Sequence, residues 1–194
     1  MFIVIEGLDG SGKSTVAQSL AKKLYAELLT TPGCCFKNIR NDLDLLYAEN
    51  TIARQLFYIS AVFKVSEKAK ESISRGQDIV IDRYWLSTQV YHNWMSGGNC
   101  LQLQEIENKL LKPDLTVFLD LPLDERIKRV KARDNNTNED IKTLTKKADK
   151  KLLWLYENMR NSKPVGNWLR VDASRDIEYI MDVILIKVQE LNLF

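Results

Sequence analysis

An eight-residue segment constrains the fold of this chain more than any other feature. Residues 7–14 read Gly-Leu-Asp-Gly-Ser-Gly-Lys-Ser, which is the pattern G-x-x-x-x-G-K-S. An apolar run at 2–5 precedes this segment, and a helical pattern that begins near Lys13 follows it. A glycine-rich turn between a strand and a helix aims backbone N–H groups at an anion. The sequence therefore predicts a loop that binds the phosphates of a nucleotide.

The residue types in this loop predict individual roles. Lys13 is expected to reach the β- and γ-phosphates of ATP, and the Ser14 hydroxyl is expected to bind Mg²⁺. The residues of this segment expected to bind ATP are Gly7, Leu8, Asp9, Gly10, Ser11, Gly12, Lys13, Ser14 and Thr15.

Short apolar runs alternate with longer helical patterns along the whole sequence. Strands are predicted at 2–5, 27–31, 78–81, 115–121 and 168–171. Helices are predicted from Lys13 onward and at 50–74, 84–96, 101–111, 123–133, 140–162 and 177–191. Apolar strands separated by helices indicate a parallel sheet with helices on both faces. Right-handed crossovers make this a three-layer, doubly wound α/β fold of about five strands, expected to form one domain over residues 1–194.

A charged pair follows the predicted strand at 78–81. Asp82 lies where a carboxylate at the end of a neighbouring parallel strand holds the metal, so Asp82 is expected to join Ser14 as a Mg²⁺ ligand. Arg83 is expected to face the phosphates, because its planar guanidinium can bind two anionic groups brought together. The two residues fit phosphoryl transfer, which needs positioning and charge neutralisation.

Composition excludes several other functions. Lys and Arg number 28 against 26 Asp and Glu, and this balance argues against a dedicated nucleic-acid binder. No apolar run reaches the length of a membrane span, so a cytosolic protein with no membrane partner is expected. Three cysteines and one histidine, His92, do not form the spacing of a zinc site.

Several segments in the right order resemble the thymidylate kinase family. The opening Glu6-Gly7-Leu8-Asp9-Gly10-Ser11-Gly12-Lys13-Ser14-Thr15 is similar to the opening of that family, and residues 82–91 resemble its DR-x-x-ST-Q-x-Y segment. Residues 112–115 (Lys-Pro-Asp-Leu) resemble the start of its later strand, and 167–174 resemble its adenine loop. The resemblance implies an ATP-dependent kinase that converts dTMP to dTDP, with Mg²⁺ and with a homodimeric state.

The resemblance also implies site residues. Asp9 would bind the 3′-hydroxyl of the acceptor sugar, Arg83 would bridge the donor and acceptor phosphates, and a lid near 134–142 would close over them. Residues implied on the acceptor side are Asp9, Arg40, Arg54, Tyr58, Arg83, Ser87, Thr88, Gln89 and Tyr91. Arg133 and Ala173 are implied on the ATP side, and the catalytic group is Lys13, Arg83, Asp82 and Asp9.

The sequence departs from the family pattern in its arginines. No arginine occurs near Val62, where the family reads the base, and either Arg40 or Arg54 could replace a second missing phosphate contact. Gly10 leaves the phosphate loop without arginine, and the lid offers only Arg133 at its edge and Lys142. Lysine does not replace arginine equally at a site where arginine binds a phosphate through two N–H groups at once.

These departures keep other functions open. Residues 82–88 are also similar to mitochondrial UMP-CMP kinase of the same superfamily, so UMP, CMP or dUMP are alternative acceptors. A deoxynucleoside kinase would need a carboxylate base, for which Glu6 is a candidate. A nucleotide-binding regulatory protein with little catalysis is the third alternative.

Overall fold

Five parallel strands form one sheet in the part of the chain that the structure describes, which confirms the predicted α/β class. This computed structural model describes residues 1–33, 36, 39–101, 103–132 and 138–193, with only the backbone described at 40, 41 and 138–140. The strands are β1 (Phe2–Gly7), β2 (Glu27–Thr30), β3 (Ile79–Asp82), β4 (Leu115–Asp120) and β5 (Asn167–Asp172). Their order is β2-β3-β1-β4-β5, so β1 lies at the centre of the sheet.

Helices connect the strands and cover the sheet. They are α1 (Lys13–Leu24), α2 (Arg40–Leu46), α3 (Thr51–Ser74), α4 (Trp85–Met95), α5 (Gln104–Glu107), α6 (Leu123–Lys131), α7 (Asn138–Thr143), α8 (Lys146–Met159) and α9 (Ile177–Glu190), with a short 3-10 helix at Lys163–Val165. Among the described residues, none of these helices combines the length and the apolar character that crossing a membrane requires.

Alternate side chains of β1 build the two layers of core. Ile3 and Ile5 belong to a buried cluster with apolar residues of α1 and α9. Phe2 and Val4 point to the other face and belong to a cluster with α3 and the start of α4. Because successive side chains of a strand point to opposite faces, an entirely apolar strand requires cover on both sides.

Strand register brings the predicted site residues to one edge of the sheet. Ile5 of β1 is paired with Asp82 of β3, so the phosphate loop leaves β1 beside the residues that follow β3. Ligands bind at this carboxyl edge in open α/β sheets.

Two predicted helices differ from those observed, and one observed helix was not predicted. The prediction of a single helix at 140–162 is wrong, because α7 ends at Thr143 and a new helix, α8, begins at Lys146. Thr145 caps α8 by accepting a hydrogen bond from the Ala148 N–H at 3.2 Å. The helix expected at 101–111 shortens to α5, since the N–H of Leu111 instead donates to Ser66 Oγ on α3 at 2.9 Å. The helix α2 was not predicted, and its Leu45 and Leu46 are largely exposed.

Gly166 offers a test of the close approach between β5 and the chain before β4. Its φ is +74°, and a Cβ there would lie 2.0 Å from the carbonyl oxygen of Pro113. We expect Gly166→Ala to lower the free energy of unfolding by about 2–5 kcal/mol in urea denaturation, because left-handed strain and a backbone clash add. Gly76→Ala is the matched control: φ there is +77° with no atom within 4 Å, so only the strain of about 1–2 kcal/mol applies. Equal losses in the two variants would contradict the clash.

Candidate active site

The predicted phosphate loop forms the turn between β1 and α1. Gly10 and Gly12 adopt φ values of +84° and +95°, which glycine reaches without steric cost. A Cβ on Gly10 would lie 2.9 Å from the carbonyl oxygen of Arg126, because α6 packs directly against the loop. The N–H of Ser11 donates to the carbonyl of Leu8 at 3.1 Å, which closes the turn.

Lys13 is buried at the start of α1. Its Nζ donates to the carbonyl oxygen of Leu8 at 2.8 Å, so the ammonium group lies folded over the loop. Burial, followed by the charge of Arg83, lowers the pKa of Lys13 to about 7, although nearby carboxylates act in the opposite direction. The loop therefore holds a cation whose charge is disfavoured until an anion arrives.

Asp82 and Ser14 lie together, as a shared metal site requires. The Ser14 hydroxyl donates to Oδ2 of Asp82 at 2.5 Å. The other carboxylate oxygen of Asp82, Oδ1, is buried and has no hydrogen-bond partner among the described residues. A hydroxyl oxygen beside an unpaired carboxylate oxygen is a donor set that suits Mg²⁺. The described residues contain no cluster of three or more His, Cys, Asp or Glu that could hold a metal by themselves.

Arg83 crosses the cleft and forms an ion pair with Asp9. Its backbone is in the left-handed region with φ of +67°, a strained conformation for a residue with a side chain. Its guanidinium also donates to Ser87 Oγ at 3.3 Å and lies 5.3 Å from the centre of the Tyr91 ring. Arg83 is therefore fixed by the loop on one side and by α4 on the other.

Asp9 accepts three hydrogen bonds besides facing Lys13. Its partners are Arg83, the Tyr91 hydroxyl at 2.9 Å and the Thr143 hydroxyl at 3.2 Å. Burial acts to raise the pKa of Asp9, but the charges of Arg83 and Lys13 prevail and lower it to about 2. Asp9 is consequently a permanent anion at neutral pH.

Glu6 lies beneath this arrangement and is completely buried. Its Oε1 accepts from the N–H groups of Tyr84 and Ser87 at 3.0 and 3.2 Å. Its Oε2 accepts from the hydroxyls of Ser87 and Tyr156 at 2.5 and 3.3 Å. Burial raises the pKa of Glu6 while these hydrogen bonds oppose the shift. With both oxygens occupied, Glu6 is not placed to act as the base of a nucleoside kinase.

One cavity of about 960 Å³ opens beside these residues. It is bounded by the predicted residues Asp9, Arg54, Tyr58, Arg83, Ser87, Thr88 and Tyr91, by His92, and by Thr143, Lys142, Lys147 and Lys151 of α7 and α8. The cavity is large enough for a nucleotide, since small-molecule sites measure roughly 300–1,000 Å³.

Comparison with known proteins agrees with this geometry. The family model described as thymidylate kinase matches residues 5–184. A probable thymidylate kinase of Thermococcus onnurineus is 33% identical over 96% of this chain and all of its own length. One from Methanococcus maripaludis is 34% identical over 95% of this chain and 92% of its own. This chain belongs to the thymidylate kinase family.

Solved structures agree on the fold. Thymidylate kinase from Candida albicans superposes with a TM-score of 0.70 at 21% identity, covering 97% of this chain and 91% of that one. Deoxyadenosine kinase from M. mycoides superposes with a TM-score of 0.68 at 23% identity, covering 98% of this chain and all of that one.

Beside Tyr58, the cavity differs from the thymidylate kinase pattern in the position of its arginine. The family arginine near Val62 is missing, but Arg54 lies one turn before Tyr58, with its guanidinium 5.9 Å from the centre of that ring. Asp44 binds both side chains: Arg54 Nε lies 2.9 Å and the Tyr58 hydroxyl 3.2 Å from its carboxylate. The guanidinium of Arg54 therefore supplies positive charge at the cavity wall, from the turn of α3 that precedes Tyr58.

Gln89 and Ala173 are described but do not line the cavity. Gln89 is buried, and its Oε1 accepts from Gln55 Nε2 at 3.2 Å. Ala173 lies next to the loop, where its carbonyl oxygen accepts from Arg129 at 3.0 Å. Arg133, with 134–137 of the lid, lies outside the described residues, and Arg40 is described only as the first backbone residue of α2.

The sequence singled out Lys142 of α7, but it did not predict that Thr143 of α7 and Lys147 and Lys151 of α8 also line the cavity. Lys147 and Lys151 are four residues apart, a spacing that puts both on one face of α8. This spacing was visible in the sequence, but a lysine-rich helix is also typical of a solvated surface. Thr143 had no signal, because its contact with Asp9 joins residues 134 positions apart.

Removal of Glu6 should disturb the whole cleft. We expect Glu6→Ala to reduce the free energy of unfolding by about 3–5 kcal/mol, because it leaves the buried N–H groups of Tyr84 and Ser87 without acceptors. Glu107→Ala is the control, because Glu107 also binds α4 but accepts only one hydrogen bond there, from Trp85 Nε1 at 2.9 Å. Loss of that hydrogen bond should cost about 1 kcal/mol. Chemical denaturation measures both, and similar losses would refute the special role of Glu6.

Proposed function

We propose that this chain transfers the γ-phosphoryl group of ATP to dTMP, giving ADP and dTDP for the synthesis of dTTP. One observation carries the proposal: the loop that buries Lys13 also supplies Asp9, which pairs with Arg83 at the wall of one large cavity. Family membership supports it, as do the relatives that are called probable thymidylate kinases. A neighbour of the same fold is described with bound dATP, which supports a nucleotide triphosphate as co-substrate.

The reaction needs positive charge rather than a general base. The attacking atom is an oxygen of the acceptor phosphate, which is already ionised at neutral pH. It forms a bond to the γ-phosphorus as the bond to the β-phosphate oxygen breaks. Lys13 and the loop amides stabilise the donor phosphates, and Arg83 stabilises the charge between donor and acceptor.

Mg²⁺ fits the pair formed by Ser14 and Asp82. Their oxygens lie 2.5 Å apart, and Oδ1 of Asp82 has no other partner among the described residues. Ser14 and Asp82 would hold the ion, directly or through water, and the bound ion would neutralise part of the phosphate charge.

Asp9 and the lid would respond together to the acceptor. The Thr143 hydroxyl at the end of α7 donates to Asp9 Oδ2 at 3.2 Å. A 3′-hydroxyl of the acceptor that bonds to Asp9 would share this oxygen with Thr143. The lid near 134–142 would thereby close over an occupied site and exclude water, within a single kinase domain of residues 1–194.

The enzyme is proposed to act in the cytoplasm as a homodimer, without nucleic-acid or membrane partners. Family resemblance supports the dimer, and so do exposed apolar side chains on neighbouring helices. These are Leu45 and Leu46 on α2, and Ile52 and Leu56 on α3. Clustered exposed apolar side chains mark interaction surfaces.

An acceptor panel tests the function. With Mg-ATP and dTMP, dUMP, UMP, CMP or thymidine, we expect ADP release to be fastest with dTMP and slow with ATP alone. Arg83→Ala should lose most of this activity, since a phosphate-bridging arginine contributes roughly 10³–10⁵-fold. Arg170→Ala, which removes an exposed Arg–Asp pair on β5, is the matched control and should remain active. Hydrolysis that no nucleoside monophosphate accelerates would overturn the proposal.

ATP affinity should depend on pH through Lys13. Because the pKa of Lys13 is lowered to about 7, the unliganded enzyme loses this charge above pH 7, whereas bound phosphates favour the ammonium form. Binding then takes up a proton, and affinity should fall by up to about tenfold per pH unit between pH 7 and 9. Calorimetry in buffers of different ionisation enthalpy measures the uptake. Lys13→Met should bind more weakly and without this slope; an equal slope in both proteins would contradict the assignment.

A further inference from the structure

The single histidine of the chain lines the acceptor end of the cavity. His92 lies on α4, one residue after Tyr91, and its side chain is buried. Its ring centre is 5.2 Å from that of Tyr58, the aromatic residue expected to stack on the acceptor base. His92 and Tyr58 therefore lie side by side in the wall of the cavity.

The hydrogen bonding of His92 fixes its tautomer. Nδ1 lies 2.7 Å from the carbonyl oxygen of Thr88, one turn earlier on the same helix. A carbonyl oxygen can only accept, so Nδ1 carries the hydrogen. Burial lowers the pKa of His92 to about 4, with the Arg54 charge acting in the same direction while the Thr88 carbonyl and Asp44 oppose it. The ring is consequently neutral at physiological pH, and Nε2 presents a lone pair.

Nε2 has no hydrogen-bond partner within the described residues, although it is buried. Buried polar atoms in proteins are nearly always paired, and one left unpaired destabilises the fold. Because Nδ1 is turned back toward Thr88, Nε2 lies on the far side of the ring from that bond. Because His92 lines the cavity, an unpaired acceptor on its ring fits a ligand that brings its own N–H group.

We propose that Nε2 of His92 accepts a hydrogen bond from the N3–H of the acceptor base and so selects bases with an imino proton. Thymine and uracil carry this N–H, whereas cytosine has a lone pair on N3 that would face the lone pair of Nε2. This selection rests on the proposed function. Arg54 has only N–H donors and cannot accept a hydrogen bond from N3–H, so it cannot make the same distinction. Side chains over Nε2 shift as the base enters, a common change on ligand binding.

Kinetics with a methylated acceptor test this role. The wild-type enzyme should use dTMP but use N3-methyl-dTMP and dCMP at least about tenfold less well in kcat/KM, since an unpaired buried acceptor is costly. His92→Ala should lower kcat/KM for dTMP about tenfold or more and raise it for N3-methyl-dTMP, because the acceptor is gone and space for the methyl group appears. His92→Gln, which restores an oxygen acceptor, should recover much of the preference for dTMP.

A second measurement does not depend on any variant. Since His92 is the only histidine, the ¹⁵N spectrum of histidine-labelled enzyme contains one unprotonated ring nitrogen. In the presence of ADP, addition of dTMP should shift this signal toward that of a hydrogen-bonded nitrogen. Addition of N3-methyl-dTMP should leave it in place.

The outcomes separate this inference from the proposed function. An enzyme that phosphorylates dTMP while His92→Ala changes both acceptors by the same factor, or while dTMP leaves the nitrogen signal unmoved, would overturn the role of His92 alone. A wild-type enzyme inactive on dTMP in the acceptor panel would overturn both.

Discussion

The buried carboxylate of Glu6 is the interaction on which the geometry of the cleft depends. It lies near the end of the central strand and accepts the N–H groups of Tyr84, which follows β3, and of Ser87, in the first turn of α4. This link joins segments 78 and 81 positions apart in the sequence. It holds Arg83 in a left-handed conformation that a residue with a side chain adopts only under constraint. Loss of this anchor would therefore loosen the backbone that carries the guanidinium to Asp9.

The charges of the cleft suit an anionic ligand. Lys13 is held where its charge is unfavourable, while Asp9 balances Arg83 and accepts hydroxyl groups from α4 and α7. A bound polyphosphate would supply the missing negative charge. Pre-arranged donors of this kind lower the barrier to phosphoryl transfer because they need no reorganisation during the reaction. Helices α7 and α8 line the cavity with lysines and with no described arginine. A lysine binds phosphate as a point charge, whereas an arginine can bind it through two N–H groups.

Much of the fold could be predicted because each signal was local. Apolar strands, glycine at turns and helical spacing identified all five strands, and their alternation with helices implied a parallel sheet. The failures lie where tertiary contacts compete with local preference. Thr145 interrupts the helical pattern at 140–162 by capping α8, and the contact of Leu111 with Ser66 ends the pattern at 101–111 early. For α2, the sequence offers no apolar face that packs into the core.

The sequence by itself determined the chemistry available: a phosphate loop, a serine and an aspartate of the types that suit Mg²⁺, and an arginine at the end of a strand. These could be predicted because each depends on residue types within a few positions, at a known edge of a parallel sheet. Only the tertiary structure decided which distant groups complete the site, such as Thr143 on Asp9 and Arg54 beside Tyr58. It also decided that Gln89 turns to Gln55 and that Nε2 of His92 has no hydrogen-bond partner among the described residues. The physical reason is that hydrogen bonding of a buried side chain depends on every element packed around it, and spacing along one helix does not specify those neighbours.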